Sequence, residues 1–236
     1  MMKKHIPNLI TFGNLFAGSI ACLYAFQADF LWAFIFMFIG IFFDFFDGMA
    51  ARILNVKSEL GLQLDSLADM VTSGLVPGIV MFHLIGKSVN PDFSFQEFDF
   101  ASVDVVALFG FLITLGSAYR LAKFNIDTRQ TDAFIGLPTP ANAIFITSLA
   151  MSIQDLSFLQ NVYVLCLISV LSYYILNAEI KLIALKFKNL NLKENWYRFL
   201  LILISVVLII SLQFLAVPMI IAFYIILSII ISKKEA

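Results

Sequence analysis

The sequence predicts an all-α fold: a polytopic membrane bundle of about eight transmembrane helices with both termini on the cytoplasmic side. Three observations predict it. Apolar residues make up 61% of the 236 residues and charged residues only 13%. The apolar residues gather into runs long enough to cross a hydrocarbon core, which takes roughly 20 residues at about 1.5 Å rise. The basic residues fall almost entirely into alternate connections. Within lipid every backbone polar group must be satisfied internally, and a helix does this with an open chain.

The first span, about 8–27, begins after Pro7 and Asn8, residue types suited to a helix start. Its lead-in, "MMKKHIPNLITFGN", is superficially like a signal peptide, but no A-x-A-like cleavage site follows, so this segment is expected to stay as a span. Spans two to four cover about 30–51, 65–86 and 103–123. The fifth, about 138–153, is short and opened by "GLPTPAN", whose prolines fix the start of a helix rather than its interior. Spans six to eight cover about 157–176, 197–213 and 215–232. No linker or low-complexity tract interrupts them, so residues 1–236 read as one membrane domain.

Basic residues stay on the cytoplasmic side of short loops. With the N-terminus inside, the eight spans put Lys3, Lys4, Arg52, Lys57, Arg120, Lys123, Arg129 and the basic residues of 181–198 and 233–234 inside, leaving Lys87 alone outside. The exterior loop, about 87–102, carries Asp92, Glu97 and Asp99, and its alternating Phe93, Phe95 and Phe100 suit a short strand or an interface-hugging segment. Between spans six and seven, Ile180, Ile183, Ala184, Phe187 and Leu190 recur at helical intervals against Lys181, Lys186 and Lys188, the pattern of a helix lying among headgroups. Cys22 and Cys166 both fall inside spans and read as packing thiols. His5 and His83 read as interfacial or structural. The net charge of −1 says nothing about nucleic acid, and no basic groove with stacking aromatics appears in the sequence, so nucleic acid is not expected as a partner.

Against this background, "FFDFFDGMAARILNVKSELGLQLDSLADMV" places Asp44, Asp47, Asp65 and Asp69 at the cytoplasmic ends of spans two and three. Asp44 and Asp47 are three residues apart and Asp65 and Asp69 four apart, so each pair shares one helix face. The short connection makes the two helices expected antiparallel neighbours, and the four carboxylates converge. Like charges at close range are unfavourable. Hard divalent cations relieve that, and an all-oxygen donor set suits Mg²⁺ or Mn²⁺. Two ions about 3.5–4 Å apart would bridge phosphate oxygens and stabilise a leaving group, as phosphoryl transfer requires. Nearby residues agree: Gly48 allows close backbone approach beside the ligands, Ala51 keeps that face small, Arg52 offers a fork of donors for phosphate, Ser58 offers a hydroxyl and Gly61 opens the third span.

The spacing D-x2-D-G-x2-A-R-x8-G-x3-D-x3-D, filled here by Asp44, Asp47, Gly48, Ala51, Arg52, Gly61, Asp65 and Asp69, resembles the signature of the CDP-alcohol phosphotransferase family at every fixed position. The resemblance implies a membrane enzyme that moves the phosphatidyl group of CDP-diacylglycerol onto an alcohol and releases CMP. It implies that the four aspartates hold two metal ions, with Asp69 also the general base, and that Gly48, Arg52 and Ser58 touch the CDP-lipid. "IPNLITFGN" is similar to the family's first-span start, with Asn8 and Thr11 near the nucleotide. A homodimer is implied too.

The segments "LDSLADMVTSGLVPG", "AYRLAKFN" and "FIGLPTPANA" resemble the serine-using branch of that family, a likeness running over about residues 5–150 and leaving 157–232 as additional spans. An L-serine carboxylate could be clamped bidentately by Arg120, with Lys123 serving the carboxylate or a phosphate and Asn125 adding a hydrogen bond. Glycerol 3-phosphate or an inositol compound would also want cations, so those acceptors stay open. The rival from another class, a cation transporter or channel, wants acidic groups near the bilayer midplane, whereas these aspartates lie toward one face.

Overall fold

The computed structural model describes residues 5–56, 58–97, 103–127, 135–153, 156–183, 192–212 and 215–235. In chain order it comprises α1 (Ile6–Phe26), α2 (Phe30–Ile53), and α3 (Glu59–Asp69), which continues through a π-helical turn (Met70–Leu75) into α4 (Val76–Val89). A 3-10 stretch (Val103–Phe111) then runs into α5 (Leu112–Ile126), followed by α6 (Thr139–Ser152), α7 (Val162–Asn177), α8 (Leu192–Leu212) and α9 (Ala216–Glu235). Among the described residues there is no strand beyond one isolated bridge, Ile135 to Lys181. With α3 and α4 counted as one rod, these helices follow the expected spans one for one. Five are long and apolar enough to cross a membrane, and α7 and most of α9 are shorter apolar helices. The protein is a multi-pass membrane protein.

Local chemistry sets the boundaries. Pro7 sits in the first turn of α1, where its missing N–H costs nothing. A three-residue turn with Ala28 at positive φ leads to Asp29, whose carboxylate caps α2 by accepting from Trp32 N–H. Asn55, left-handed at φ 53°, turns the chain after α2. Ser58 then caps α3, its Oγ accepting from Gly61 N–H at 3.0 Å. Gly136 has φ 78° and its N–H donates to Ile180 O at 2.8 Å, so the lead into α6 is pinned to the segment just after α7. A Cβ at Gly136 would meet Leu176 O at 2.5 Å.

The third span lies at the centre. Every residue of α4 from Val76 to Gly86 is buried, as expected for a helix apolar on all sides with neighbours all round, and α1, α2, α5, α6 and α7 all touch it. The remaining helices present apolar side chains outward, for example Leu9, Phe16 and Leu23 on α1 and Leu203, Val207 and Ile210 on α8. In lipid that exposure carries no penalty.

Two connections differ from expectation. In the exterior loop Phe93 is not surface-lying: it is buried against Phe82 and Gly86, and the ring of Phe95, in a short 3-10 turn (Phe95–Glu97), lies tilted against Phe26 with centroids 4.5 Å apart. Apolar burial of a ring outweighs the alternation that suggested a strand. Asp99 and Phe100 lie outside the described residues. After α7, Ile180 and Ile183 are not helical, since Lys181 bridges to Ile135. Residues 184–190, which carry the rest of the expected headgroup helix, lie outside the described residues.

His83 is buried with its ring edge-on to Phe82 and Phe93, and Cys22 and Cys166 are free thiols.

Candidate active site

The acidic ends of α2 and α3 are brought together by α1. This helix packs along α2 over much of its length and also against α3, while α2 and α3 touch each other only slightly. The expected direct packing of α2 on α3 is therefore replaced by a three-helix arrangement, with a face of α1 filling the angle between them.

Asp44, Asp47 and Asp65 each offer a carboxylate oxygen, and these atoms lie within 4.8 Å of one another. Asp47 is 6% exposed, and Asp44 and Asp65 are half-buried. Thr11 from α1 reaches Asp47 Oδ2, and its single hydroxyl proton goes to that charged acceptor rather than to Pro7 O at 3.1 Å. Asp65 Oδ1 is buried with no hydrogen-bond partner among the described residues. An orphaned carboxylate oxygen beside two further carboxylates suits a bound cation, and a donor set made only of oxygen suits a hard divalent ion. The residues fit such an ion.

Asp69 lies one turn further along α3, outside that triad. It is buried, and its Oδ1 accepts from Asn14 Nδ2 at 3.1 Å. A carboxylate only accepts, so the Asn14 amide must turn its NH₂ toward Asp69 and its oxygen away. That oxygen accepts from Thr72 Oγ1 at 2.7 Å. Thr72 stands in the π-helical turn immediately after Asp69 and, like Asn14, is wholly buried. Gly18 and Gly40 make room for the pair: a Cβ at Gly18 would come 2.2 Å from Thr72 Oγ1, and one at Gly40 would come 2.9 Å from Asn14 Oδ1.

Beside the triad opens a cavity of about 500 Å³, lined among others by Asn8, Thr11, Asp47, Gly48, Arg52, Ser58 and Asp65. Gly48 faces open space, with no atom within 4 Å of where its Cβ would stand. The five residues expected at a CDP-lipid therefore share one cavity with two of the aspartates.

Residues 4–175 match the family model described as CDP-alcohol phosphatidyltransferase. The chain belongs to the CDP-alcohol phosphatidyltransferase family. Among curated relatives, it is 35% identical over 137 residues to the CDP-diacylglycerol–serine O-phosphatidyltransferase of Bacillus subtilis (strain 168), covering 58% of this chain and 70% of that one. It is 31% identical over 156 residues to the protein of the same name in Helicobacter pylori (strain J99), covering 65% and 60%. A third relative, the archaetidylserine synthase of Methanothermobacter thermautotrophicus, is 29% identical over 146 residues, covering 61% and 56%. The chain thus spans about three fifths of the length of the Helicobacter relative.

The three residues expected at an acceptor alcohol lie near the end of α5, outside the 500 Å³ cavity. Asn125 is closest to the acidic cluster, exchanging hydrogen bonds with Ser66, the neighbour of Asp65, at 2.9 and 3.2 Å. Arg120 is 4% exposed, with its guanidinium 5.7 Å from the Phe124 ring centroid. Lys123 is paired with Glu179 at 3.1 Å. Glu179, Ser66, Asn14 and Thr72 were not singled out from the sequence. Only Asn14 carried a signal, standing three residues beyond Thr11 on the same face of α1.

Proposed function

We propose that the protein transfers the phosphatidyl group of CDP-diacylglycerol to the hydroxyl of L-serine, giving phosphatidylserine and CMP. The observation that carries this reading is the carboxylate triad opening into a cavity that also holds Arg52, Ser58, Asn8 and Thr11. The names of the relatives supply the acceptor.

In this reading Asp44, Asp47, Asp65 and Asp69 hold two Mg²⁺ or Mn²⁺ ions, which when bound neutralise the pyrophosphate and make CMP a better leaving group. Asn8 and Thr11 offer hydrogen bonds to the nucleotide, and Arg52 and Ser58 donate to phosphate oxygens. The open face at Gly48 lets the lipid phosphate approach the helix backbone. Serine lies toward α5, its carboxylate on Arg120 and its polar end within reach of Asn125. Lys123, paired with Glu179, keeps further N–H donors for a carboxylate or a phosphate. Asp69 takes the hydroxyl proton with the oxygen not engaged by Asn14. The serine oxygen then bonds to the phosphorus that carries the diacylglycerol, and the bond from that phosphorus to the CMP oxygen breaks. Charge developing on the phosphoryl oxygens is met by donors lining the cavity, Arg52 first among them. The distribution of basic residues supports a site facing the cytoplasm, and the family resemblance supports a homodimer acting among membrane lipids.

The test is CMP release from CDP-diacylglycerol by purified protein in detergent with Mn²⁺ or Mg²⁺, offered serine, glycerol 3-phosphate or an inositol phosphate separately, with Asp69→Asn as control. Serine-dependent release that the substitution abolishes is the expected result. Release with another acceptor alone would retain the reaction and overturn the serine assignment, and no release with any acceptor would overturn the reaction itself.

A further inference from the structure

Among the described residues, two side-chain ties fasten α5 to the rod formed by α3, the π turn and α4. Thr114 Oγ1 donates to Gly74 O at 3.0 Å, and Asn125 Nδ2 donates to Ser66 Oγ at 2.9 Å. From the first tie to the second α5 runs forward from 114 to 125 while the rod runs back from 74 to 66, so the two are antiparallel here. Asp69 and Arg120 both stand inside this interval, and both are buried. At about 1.5 Å rise per residue, Asp69 lies about 4.5 Å beyond Ser66, and Arg120 about 7.5 Å beyond Asn125 in the same direction. The general base and the expected carboxylate clamp are therefore at nearly one level, with the lower tie about a turn below them.

A serine inside a helix ordinarily bonds the carbonyl four residues back or turns to water. Ser66 does neither: its half-buried hydroxyl meets the Asn125 amide, 2.9 Å from Nδ2 and 3.2 Å from Oδ1. One hydroxyl cannot serve both atoms at a good angle, and the shorter contact makes it the acceptor. The amide then keeps a second N–H. The end torsion of an asparagine is broad and does not fix that N–H by itself. Among the described residues no other bond holds the amide, and α3 and α5 otherwise touch only slightly. The Ser66 hydroxyl thus decides where the remaining N–H points.

We propose that Ser66 is a positioning residue for the acceptor alcohol: by holding the Asn125 amide it directs the second N–H to an oxygen of L-serine lying between α3 and α5. The proposal rests on the reading that serine binds toward α5. Ser66 directly follows Asp65 and stands three residues before Asp69, so it shares a helix with both carboxylates. A serine held through this tie is registered against the helix that carries those carboxylates, rather than against α5 alone. Ser66 itself touches neither the CDP-lipid cavity nor, in this proposal, the serine. An amide that contacts serine equally before and during transfer contributes to binding rather than to turnover, so its misplacement falls on the KM for serine.

The test follows CMP release by the purified full chain, with CDP-diacylglycerol and Mn²⁺, as serine is varied. It compares wild type, Ser66→Ala, Ser66→Thr, Asn125→Ala and the double variant of Ser66→Ala with Asn125→Ala. Ser66→Ala should raise the KM for serine about 2- to 12-fold, as loss of one neutral hydrogen bond implies. Its kcat, its KM for CDP-diacylglycerol and the Mn²⁺ concentration giving half-maximal rate should be little changed. Ser66→Thr keeps the hydroxyl and should restore the wild-type KM. Because Ser66 acts through Asn125, Ser66→Ala should cost nothing further once Asn125→Ala is present. An unchanged KM for serine in Ser66→Ala, a loss that adds to that of Asn125→Ala, or a raised Mn²⁺ requirement would each overturn the proposal while leaving serine transfer standing. A wild-type protein that shows no serine-dependent release would overturn the serine reading itself, and this proposal with it.

Discussion

Replacing Asn14 with leucine removes the donor that holds Asp69 while keeping the side chain's approximate size. Asn14 is wholly buried and is not among the residues lining the 500 Å³ cavity, so substrate binding should be little changed. The lost bond, 3.1 Å from Nδ2 to a carboxylate oxygen, is charge-assisted. Such bonds contribute about 1.5–3 kcal/mol, and the same amount withdrawn from the transition state slows turnover about 10- to 150-fold. Thr72 is not orphaned by the change, because its Oγ1 also lies 3.3 Å from the backbone oxygen at position 14. Thr72→Val is the graded comparison: it leaves Nδ2 on Asp69 but frees the amide to turn, at the lesser cost of a neutral hydrogen bond, about 0.5–1.5 kcal/mol. Initial rates of CMP release, measured against CDP-diacylglycerol and serine concentration, separate kcat from KM. The expected pattern is a fall in kcat with both KM values near wild type, larger for Asn14→Leu than for Thr72→Val. A kcat less than about threefold reduced in Asn14→Leu, below the lower end of that range, would refute the idea that this amide positions Asp69. So would a loss carried by KM.

Gly48→Ala should leave stability unchanged or raise it by up to about 1 kcal/mol, since alanine is the better helix residue and nothing lies within 4 Å of the added methyl. Its KM for CDP-diacylglycerol should nevertheless rise, and thermal unfolding beside kinetics checks both halves. Gly18→Ala should do the reverse: its methyl would meet Thr72 at 2.2 Å, an overpacking that costs about 1–3 kcal/mol and displaces Asn14, so melting temperature and kcat should fall together. Lys123→Met should change stability by less than about 1 kcal/mol, because its pair with Glu179 is solvent-accessible, as denaturant titration would read. Chelator should abolish CMP release and added Mn²⁺ or Mg²⁺ should restore it, whereas Asp65→Asn should stay inactive at every metal concentration tried.

The helices were legible because lipid removes most of the ambiguity from apolar patterning: a run of about 20 such residues has few alternatives to a span. The triad was legible for a related reason, since Asp44, Asp47 and Asp65 have little reason to stand in apolar helices except together. The exterior loop was less legible. Alternation of Phe93 and Phe95 is shared by a strand and by a loop that drops one ring inward, and the choice between them is made by the gap that Gly86 leaves. Asn14 and Thr72 were hidden because they are 58 residues apart and meet only through a π turn that shifts the register of α3 against α4. Periodicity at 3.6 residues per turn does not foresee that shift.

The same π turn explains how one rod serves two purposes. The segment through Val76–Gly86 must be buried on all sides, whereas Glu59–Asp69 must keep one face open to a polar cavity. A regular helix would carry a single set of faces through both halves. The extra residue in the π turn rotates one half against the other, bringing Thr72 toward α1 just after Asp69. The glycines at 18 and 40 then let α1 and α2 close around Thr72, so the Asp69 network is fixed by backbone packing rather than by flexible side chains. A site built this way should be rigid before any substrate arrives, which is the condition under which electrostatic preorganisation contributes most to rate.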